Sequence, residues 1–468
     1  MYEYGMMNNM KSLSITFFRG ARRVTGSNFL VEVKNGEKTT RILIDCGLTQ
    51  GERFCESVNH EKFPYDPSSI DAIFFTHAHA DHIGLFPKLV KEGFVGRAYA
   101  THPTRELVPI MLEDSVKLIG AEAKRCHYDP PYTFEDVDTA VKKLEPIEYK
   151  DVITVGEGVT ATLNNAGHIL GSATVFLDVF GTKLLFTGDL GRTPAVIVPD
   201  RDIVGGVDYL VTESVYGNRT HGSIEDSEKV LLDAVKNTIS QKGTLLIPSF
   251  SLERTQILLA ILDKAITDRV LPEVTVFMDS PLAAKVTEVY RNNPEFLREE
   301  VRHRLQSGDD PFQFGSLKVT TEQEESASIN SAPMPKVIIA GAGMSHGGRI
   351  RRHEAHYLPM KSTTLLLVGY QVPGSLGRKL KDGAKSVNID GAAVPVRAQV
   401  LSTDGFSAHA DRDDLMSFAE KIAPKRVMVV LGDTEAASFL AQRISGFLNI
   451  PVDVPSEGEI ISLELITK

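Results

Sequence analysis

Short apolar runs alternate with turn-forming residues over residues 1–205, and this pattern predicts a series of short β-strands. The runs are SITFF (14–18), FLVEV (29–33), RILIDCG (41–47), AIFF (72–75), TVFLDVF (174–180) and KLLFTGD (183–189). Apolar residues at helical spacing predict one helix over 82–92 and another over about 104–125. This part of the chain therefore predicts sheets with helices packed on their outer faces.

The pattern changes over residues 206–400, where the apolar runs become nearly continuous. TLLIPS, VTVFMD, KVIIAG and TLLLVGY are separated by helical stretches such as RTQILLAILDKAI (254–266). Continuous apolar strands alternating with helices predict a parallel, doubly wound sheet whose strands are buried on both faces. The polar stretch 321–335 is predicted to be a surface loop or a helix and loop. After residue 400 the pattern predicts a strand over 426–432 and a helix near 435–447.

Length and composition narrow the class of protein. At 468 residues the chain exceeds the usual size of a single core, so two domains are expected. No apolar run approaches a membrane span, and the N-terminal residues lack the pattern of a signal peptide. Cys46, Cys55 and Cys126 have no metal-type spacing, which favours a reduced, cytoplasmic protein. A net charge of −10 disfavours non-specific coating of nucleic acid but allows a locally basic channel.

The stretch THAHADH gathers four metal-binding side chains, His77, His79, Asp81 and His82, within six positions. Imidazole and carboxylate are suitable ligands for zinc, manganese or iron. The stretch follows a predicted strand, so the four side chains lie on a loop and the start of a helix, where they can converge. One tetrahedral ion cannot easily take all four, which indicates two metals.

Further candidate ligands lie at the ends of predicted strands. His168 lies in NNAGHILGSA, Asp189 follows the strand in LLFTGDLGR, and Asp45 follows the strand in ILIDCG. Alone, each would more often be structural. We expect Asp45 to hold a ligand imidazole from behind, on the His77 side of the centre.

In this order, Asp45, HAHADH, His168 and Asp189 resemble motifs one to four of the metallo-β-lactamase fold. The chain most resembles the β-CASP nucleases, which include RNase J and the endonuclease of pre-mRNA 3′-end cleavage. The likeness covers almost the whole chain through RRVTGSNFLVE, DPSSIDAIFFTHAHADHIG, ATHPTRELVPIMLEDS, TESVYGNR, IPSFSLERTQILL, DSPLA, GMSHGGRI, VGYQVPGSLGR and FSAHAD.

The resemblance implies an α/β fold, a metallo-β-lactamase αββα sandwich with an inserted β-CASP domain built on a doubly wound parallel sheet. The implied boundaries are 1–205 and 401–468 for the metallo-β-lactamase domain and 206–400 for the β-CASP domain. It also implies that His77, His79 and His168 bind one zinc, that Asp81 and His82 bind a second, and that Asp189 bridges them. Manganese or iron also fits these ligands.

Two further motif residues, Glu213 in TESVYGNR and His409 in FSAHAD, match the acid and the histidine that the family places over its metals. The resemblance implies that Asp81, Asp189, Glu213 and His409 take part in catalysis, with His409 protonating the leaving oxygen. The family's final histidine is missing, because VVLGDTEAA places Leu431 at that position. The second metal is therefore expected to bind more weakly, with Asp433 a candidate substitute ligand.

Phosphate-binding candidates by resemblance are Arg254, Ser280 and Ser407, and GAGMSHGGR (341–349) offers backbone N–H groups in a Gly-rich turn. The sequence and the resemblance together predict a cytoplasmic, metal-dependent ribonuclease acting on single-stranded RNA as an endonuclease, a 5′ exonuclease or both. Two alternatives stay open: a catalytically impaired RNA-binding or scaffold protein, suggested by Leu431, and a hydrolase of small esters, which the large insertion disfavours. The resemblance also allows a homodimer.

Overall fold

The structure, a computed structural model, describes residues 11–50 and 57–466 and divides the chain into two compact units. Unit 1 contains residues 1–220 and 409–468, and unit 2 contains residues 221–408. Cys55 and the N-terminal segment tested for a signal peptide lie outside the described residues. Among the described helices, none combines the length and the apolar character that a membrane span requires.

The first part of unit 1 contains strands and helices in close succession. The strands are β1 (Lys11–Arg19), β2 (Asn28–Asn35), β3 (Lys38–Ile44), β4 (Ala72–Phe74), β5 (Arg97–Thr101), β6 (Leu144–Ile147), β7 (Val152–Gly156), β8 (Val159–Asn165), β9 (Ala173–Val179), β10 (Thr182–Phe186) and β11 (Tyr209–Thr212). The helices are α1 (Ala80–Ile83), α2 (Phe86–Lys91), α3 (His102–Cys126) and α4 (Phe134–Val141), with 3-10 turns at Ser57–Asn59 and Pro67–Ser69.

Unit 2 alternates strands and helices. The strands are β12 (Thr244–Pro248), β13 (Thr275–Asp279), β14 (Leu317–Val319), β15 (Lys336–Ala340), β16 (Thr363–Leu367), β17 (Ser386–Ile389), β18 (Ala392–Pro395) and β19 (Gln399–Ser402). The helices are α5 (Ile224–Ser240), α6 (Arg254–Thr267), α7 (Pro281–Asn292), α8 (Glu299–Gln306), α9 (Gln323–Ser328), α10 (Ile350–Tyr357) and α11 (Leu376–Lys381), with 3-10 turns at Pro294–Phe296 and Ile329–Ser331.

The chain then completes unit 1. The last elements are α12 (Arg412–Ile422), β20 (Arg426–Val429), α13 (Thr434–Arg443), a π-helical turn at Ile444–Leu448, β21 (Val452–Asp453) and β22 (Glu459–Leu463). The final strand β22 pairs with the first strand β1, and β20 pairs in parallel with β11, so the C-terminal segment joins both sheets of unit 1.

Unit 1 is a sandwich of two sheets with helices outside. One sheet has the order β22-β1-β2-β3-β4-β5-β6 and the other the order β21-β20-β11-β10-β9-β8-β7. A single apolar core lies between them because alternate residues of their strands point inward, among them Phe17, Val31, Leu177 and Met428. A second core packs α12 and α13 onto the outer face of β11 and β20. The predicted αββα sandwich is confirmed.

Unit 2 is built on the parallel sheet that its apolar runs predict. Its order is β14-β13-β15-β12-β16-β19, and every pairing in it is parallel. β12, β15 and β16 are buried along their whole length, which explains why their sequences do not alternate. The polar stretch 321–335 forms α9 and a 3-10 turn, the helix-and-loop alternative.

Two expectations from the sequence are wrong. The single helix over 82–92 is split into α1 and α2, because Pro87 has no N–H to continue the helix and the N–H of Leu85 bonds to Cys46 instead (2.8 Å). The cysteines are not all reduced, since Cys126 is disulfide-bonded. Cys46 is free and buried, and burial raises the pKa of its thiol to about 12.

Candidate metal centre

The ligand-rich loop lies at the end of β4 in unit 1, where the strand passes into α1. Four chain segments bring side chains to this point: THAHADH, the loop of His168 after β8, the turn of Asp189 after β10, and His409 before α12. An isolated β-bridge between Gly191 and His409 ties the last two segments together. The centre is therefore built from positions up to 332 residues apart in the sequence (409 − 77 = 332).

His77, His79, His168 and Asp189 form the first group, with one ligand atom from each lying within 4.8 Å of all the others. Nδ1 of His79 lies 2.9 Å from Nε2 of His77 and 3.4 Å from Nε2 of His168. Oδ2 of Asp189 lies 3.5 Å from Nε2 of His77 and 3.7 Å from Nε2 of His168. Apart from His79, these side chains are buried.

These separations fit a tetrahedral cation. Ligands bonded at ~2.0–2.1 Å around one zinc lie roughly 3.3–3.5 Å apart, close to the distances between the four atoms of the first group. Three imidazoles and one carboxylate are also a common zinc ligand set. The first group therefore fits a divalent metal in both spacing and chemistry.

A second set of side chains surrounds the other oxygen of Asp189. Oδ1 of Asp189 lies 3.4 Å from Nε2 of His82, and that nitrogen is buried without a hydrogen-bond partner among the described residues. Asp81, which is half-buried, lies on the same short helix, and the charges of His82 and Asp189 both act on its carboxyl group. A buried imidazole nitrogen without a hydrogen-bond partner, facing a carboxylate oxygen, suits a second cation that shares Asp189.

Asp45 holds His82, whereas the sequence predicted a role on the His77 side. Its Oδ2 accepts from Nδ1 of His82 (2.7 Å), because the turn into α1 brings His82 directly beneath β3. The backbone N–H of Cys46 bonds to the carbonyl of His82 (2.8 Å) and fixes this register. Burial lowers the pKa of His82, but Asp189 and Asp45 outweigh it and raise that pKa well above its usual value, so both ring nitrogens carry protons in the metal-free centre. Because Asp45 keeps the proton on Nδ1, Nε2 is the nitrogen that would give up its proton to a metal beside Asp189.

Thr76 connects the two halves of the centre, and the sequence reading missed it. Its hydroxyl lies 2.9 Å from Oδ2 of Asp45, 3.0 Å from Nδ1 of His77 and 3.2 Å from Nδ1 of His82. Its backbone N–H donates to Oδ1 of Asp45 (2.8 Å). Ser27 adds a hydroxyl donor to Oδ2 of Asp45 (3.0 Å). The available signal was a hydroxyl residue at the strand end directly before the first histidine.

Glu213 and His409 lie beside the shared aspartate. Oε1 of Glu213 is 3.5 Å from Nδ1 of His409, which in turn is 3.9 Å from Oδ2 of Asp189. The backbone N–H groups of Leu190 and Val215 donate to the two oxygens of Glu213 (2.6 and 3.3 Å) and fix its carboxylate. Glu213 is fully buried, whereas the side chain of His409 is 23% exposed, so His409 is the group with access to a ligand.

The electrostatics of the metal-free centre distinguish its histidines. Burial and the neighbouring His82 lower the pKa of His77 well below its usual value, so His77 is neutral. Burial alone would lower the pKa of His409, but Glu213 and Asp189 outweigh it and raise the pKa. Burial opposes ionisation of Asp189 as well, but the charges of His82 and His409 hold its pKa well below the usual value. His77 is thus suited to bind a metal, and His409 to carry a proton.

Leu431 occupies the position of the family's final histidine, and Asp433 is the candidate substitute ligand for the second metal. Leu431 is buried in the apolar core between the sheets, with its N–H bonded to the carbonyl of Gly20 (2.7 Å) and a left-handed φ of 47°. Asp433 is exposed, and its side chain caps α13 by accepting from the N–H of Ala436 (2.8 Å). Its carboxylate is thus engaged at the helix terminus.

The phosphate-binding candidates lie in unit 2, at the carboxyl ends of its strands. Arg254 begins α6, and its guanidinium fills the space beside Gly369, where an added Cβ would lie 2.0 Å from Nη1. Ser280 caps α7, and its hydroxyl lies 3.2 Å from that of Ser251. The buried hydroxyl of Ser407 has no hydrogen-bond partner among the described residues.

Comparison with known proteins gives matches along most of the chain. A profile of the Metallo-beta-lactamase superfamily matches residues 21–248, one of the Beta-Casp domain matches 255–380, and one of the Zn-dependent metallo-hydrolase RNA specificity domain matches 393–455. The chain is 37% identical to Ribonuclease TTHA0252 of Thermus thermophilus, over 90% of this chain and 94% of that protein.

Two more distant similarities extend this result. An RNase J-like protein of Methanocaldococcus jannaschii is 30% identical, over 96% of this chain and 99% of that protein. A protein of unknown function from Enterococcus faecalis V583 has a similar crystal structure, with a TM-score of 0.56 and 12% identity, covering 97% of this chain and all of that one. This last similarity concerns the fold alone.

Proposed function

The chain belongs to the metallo-β-lactamase superfamily and carries its Beta-Casp and RNA specificity domains, and from this membership we infer that it is a metal-dependent ribonuclease. We propose that it hydrolyses phosphodiester bonds of single-stranded RNA in the cytoplasm. The observation that carries the proposal is the convergence of three imidazoles and Asp189 in a relative of ribonucleases. Those relatives give no support to the alternative of an impaired scaffold protein.

We propose zinc as the resident metal because imidazoles predominate among the candidate ligands. His77, His79, His168 and Asp189 would hold the first ion, and Asp81, His82 and the other oxygen of Asp189 would hold the second. When bound, such ions supply Lewis-acid polarisation of the phosphate and activation of water. With Leu431 in the apolar core, the residues that would hold the second ion, Asp81, His82 and Asp189, are fewer than those that would hold the first.

The role proposed for His409 is that of the general acid. The carboxylate of Glu213, fixed by two backbone N–H groups, favours the protonated imidazole, and the partly exposed ring can deliver its proton to the leaving oxygen. Glu213 itself is buried away from solvent and acts through His409. Asp45 fixes the protonation of His82, so that Nε2 faces the metals.

The role proposed for Arg254, Ser280 and Ser407 is to bind the RNA backbone. A guanidinium and hydroxyls are the donors that phosphate oxygens accept from most often, and they carry no base preference. Ser280 and the start of α6 also lie at helix N-termini, where backbone N–H groups favour an anion. Substrate selection by these residues is therefore proposed to depend on backbone charge and shape.

The test uses purified protein and 5′-labelled single-stranded RNA in zinc or manganese. We expect cleavage by the native chain and by Asp129→Ala, which changes an exposed aspartate, but none by Asp81→Ala or His409→Ala with unchanged circular dichroism. Internal fragments would identify an endonuclease, and release of single 5′ nucleotides an exonuclease. RNA that stays intact with every metal, although it binds, would refute the proposal.

A further inference from the structure

An exposed surface formed by Phe439, Arg443 and Phe447 lies on α13 and the π-helical turn that follows it. The side chain of Phe439 is 37% exposed and that of Phe447 is 72% exposed. Residues four apart lie on the same side of a helix, so the three side chains form one continuous row. We call this row the aromatic–arginine surface.

Packing of the helix does not require this row. The opposite side of α13 is buried through Ala436, Ala437, Leu440 and Ala441, and Ile444 continues it into the π-helical turn. Of these residues, Ala437, Leu440, Ala441 and Ile444 belong to the core that covers the outer face of β11 and β20. Because the inner side anchors the helix, two phenylalanines on the outer side are an exposed apolar surface, which in proteins commonly marks a binding site.

Arg443 lies between the two rings. Its guanidinium carbon is 4.8 Å from the centre of the Phe447 ring and 5.9 Å from the centre of the Phe439 ring. Within residues 11–50 and 57–466, Arg443 has no hydrogen bond or ion pair, and its Nε is shielded from solvent without a partner. The charge of Arg443 acts on the carboxylate of Asp413, but that carboxylate is hydrogen-bonded to Arg412 (2.8 Å). The guanidinium of Arg443 is therefore available to an anion.

We propose that the aromatic–arginine surface binds single-stranded RNA, with bases stacked on Phe447 and Phe439 and a phosphate bound by Arg443. Aromatic rings that stack bases, with arginine for the backbone, are the usual means of binding single strands without sequence preference. This inference rests on the proposed function and adds a contact for the substrate outside the metal centre.

The position of the surface supports RNA as the ligand. It lies within residues 393–455, the segment that matches the RNA specificity domain. The helix begins at Thr434, after Gly432, whose backbone packs on Ser214, the neighbour of Glu213. From Thr434 to Phe447 the chain rises about 20 Å at ~1.5 Å per residue, so the row leads away from the rim of the centre. A strand extending from the centre along α13 would reach it.

The first experiment measures stacking directly. The chain contains no tryptophan, so Phe447→Trp introduces a single fluorescent reporter. In EDTA, which prevents cleavage, titration with oligouridine RNA should quench this fluorescence in a saturable way. The matched control is Phe134→Trp, since Phe134 is also exposed (48%) but lies on α4. Absence of quenching, or equal quenching in the control, would overturn the inference.

The second experiment measures the contribution to cleavage. Phe447→Ala and Arg443→Ala should raise KM for an RNA of about 20 nucleotides by about 5- to 100-fold, and far less for one of about 5 nucleotides. Arg443→Lys, which keeps the charge but loses the planar group, should give an intermediate effect. Phe134→Ala should leave both KM values unchanged.

The outcomes separate this inference from the proposed function. No cleavage by the native chain would refute the proposed function, and quenching of Phe447→Trp could still be measured in that case. If every variant cleaves RNA with the native ratio of KM for the longer RNA to KM for the shorter RNA, only the inference is overturned. Light scattering that shows an oligomer of the native chain and a monomer of Phe447→Ala would also overturn it, because the surface would then be an interface between copies.

Discussion

Asp45→Asn is the substitution that best tests how the centre is organised, since it changes one atom of a fully buried side chain. Oδ1 of Asp45 accepts the backbone N–H of Thr76 (2.8 Å). Oδ2 accepts from three groups: Nδ1 of His82 (2.7 Å), the hydroxyl of Thr76 (2.9 Å) and the hydroxyl of Ser27 (3.0 Å). The carboxylate is thus an acceptor at both oxygens.

In the Asp45→Asn variant the orientation of the new amide is determined by Thr76. The backbone N–H cannot face another donor, so the amide oxygen must occupy the Oδ1 position and the NH₂ group the Oδ2 position. The two hydroxyls can rotate to accept from the NH₂ group. The imidazole of His82 can accept only by moving its proton from Nδ1 to Nε2, the nitrogen that faces Asp189. A protonated Nε2 cannot bind a metal.

The expected magnitude follows from this single lost ligand. Loss of a partner that orients a metal-binding histidine typically lowers metal affinity 10- to 100-fold, or about 1.4–2.7 kcal/mol. The effect should be confined to the second ion, because Oδ2 of Asp45 is bonded to His82, Thr76 and Ser27, and of these Thr76 alone is seen to reach a ligand of the first ion, His77, within the described part of the chain.

Calorimetric titration of the metal-free protein with zinc, supported by metal analysis after dialysis, measures the two affinities separately. The matched control is Asp71→Asn, because Asp71 is exposed and accepts the N–H of Arg41 (2.7 Å) in the neighbouring strand. Unchanged binding of both ions in Asp45→Asn, or an equal loss of both, would refute the reasoning.

Three further substitutions test the surrounding structure. Leu431→His should lower the free energy of unfolding by about 2 kcal/mol in EDTA, because an imidazole replaces a leucine of the core. Zinc should restore this stability if the side chain at position 431 can reach the second ion. Thermal unfolding with and without zinc measures the loss and the recovery. Glu354→Gln should remove a pH dependence of stability: burial raises the pKa of Glu354 to about 8, so the native chain binds this proton more tightly than the unfolded chain does. Stability is then full below about pH 4.5 and falls by up to about 5 kcal/mol as the pH rises to 8, and urea unfolding at several pH values should show this fall in the native chain but not in the variant. Gly47→Ala should reduce both stability and zinc content, because the added Cβ would lie 1.6 Å from the carbonyl oxygen of Asp81; normal zinc content would contradict this.

The sequence by itself determined most of the secondary structure and, through its family motifs, the fold class. Short apolar runs between turn-forming residues predicted strands and sheets with helices outside, and the resemblance to the metallo-β-lactamase fold implied their αββα arrangement. Continuous apolar runs predicted the parallel sheet, because its strands are covered on both faces. The helix predicted over about 104–125 is confirmed as α3 (His102–Cys126). The split between α1 and α2 was not predicted, because the apolar spacing over 82–92 does not show that Pro87 interrupts the backbone hydrogen bonds.

Candidate metal-binding residues could also be identified from the sequence, because THAHADH holds most of them in one short segment. The tertiary structure alone decided three further points. It shows that Asp45 supports His82, that Thr76 joins His77 to His82, and that the side chain of Leu431 lies in the apolar core. Each depends on the order and register of strands far apart in the chain. Local sequence determines which face of an element a residue occupies, but contact between two elements is determined by how the sheets are assembled.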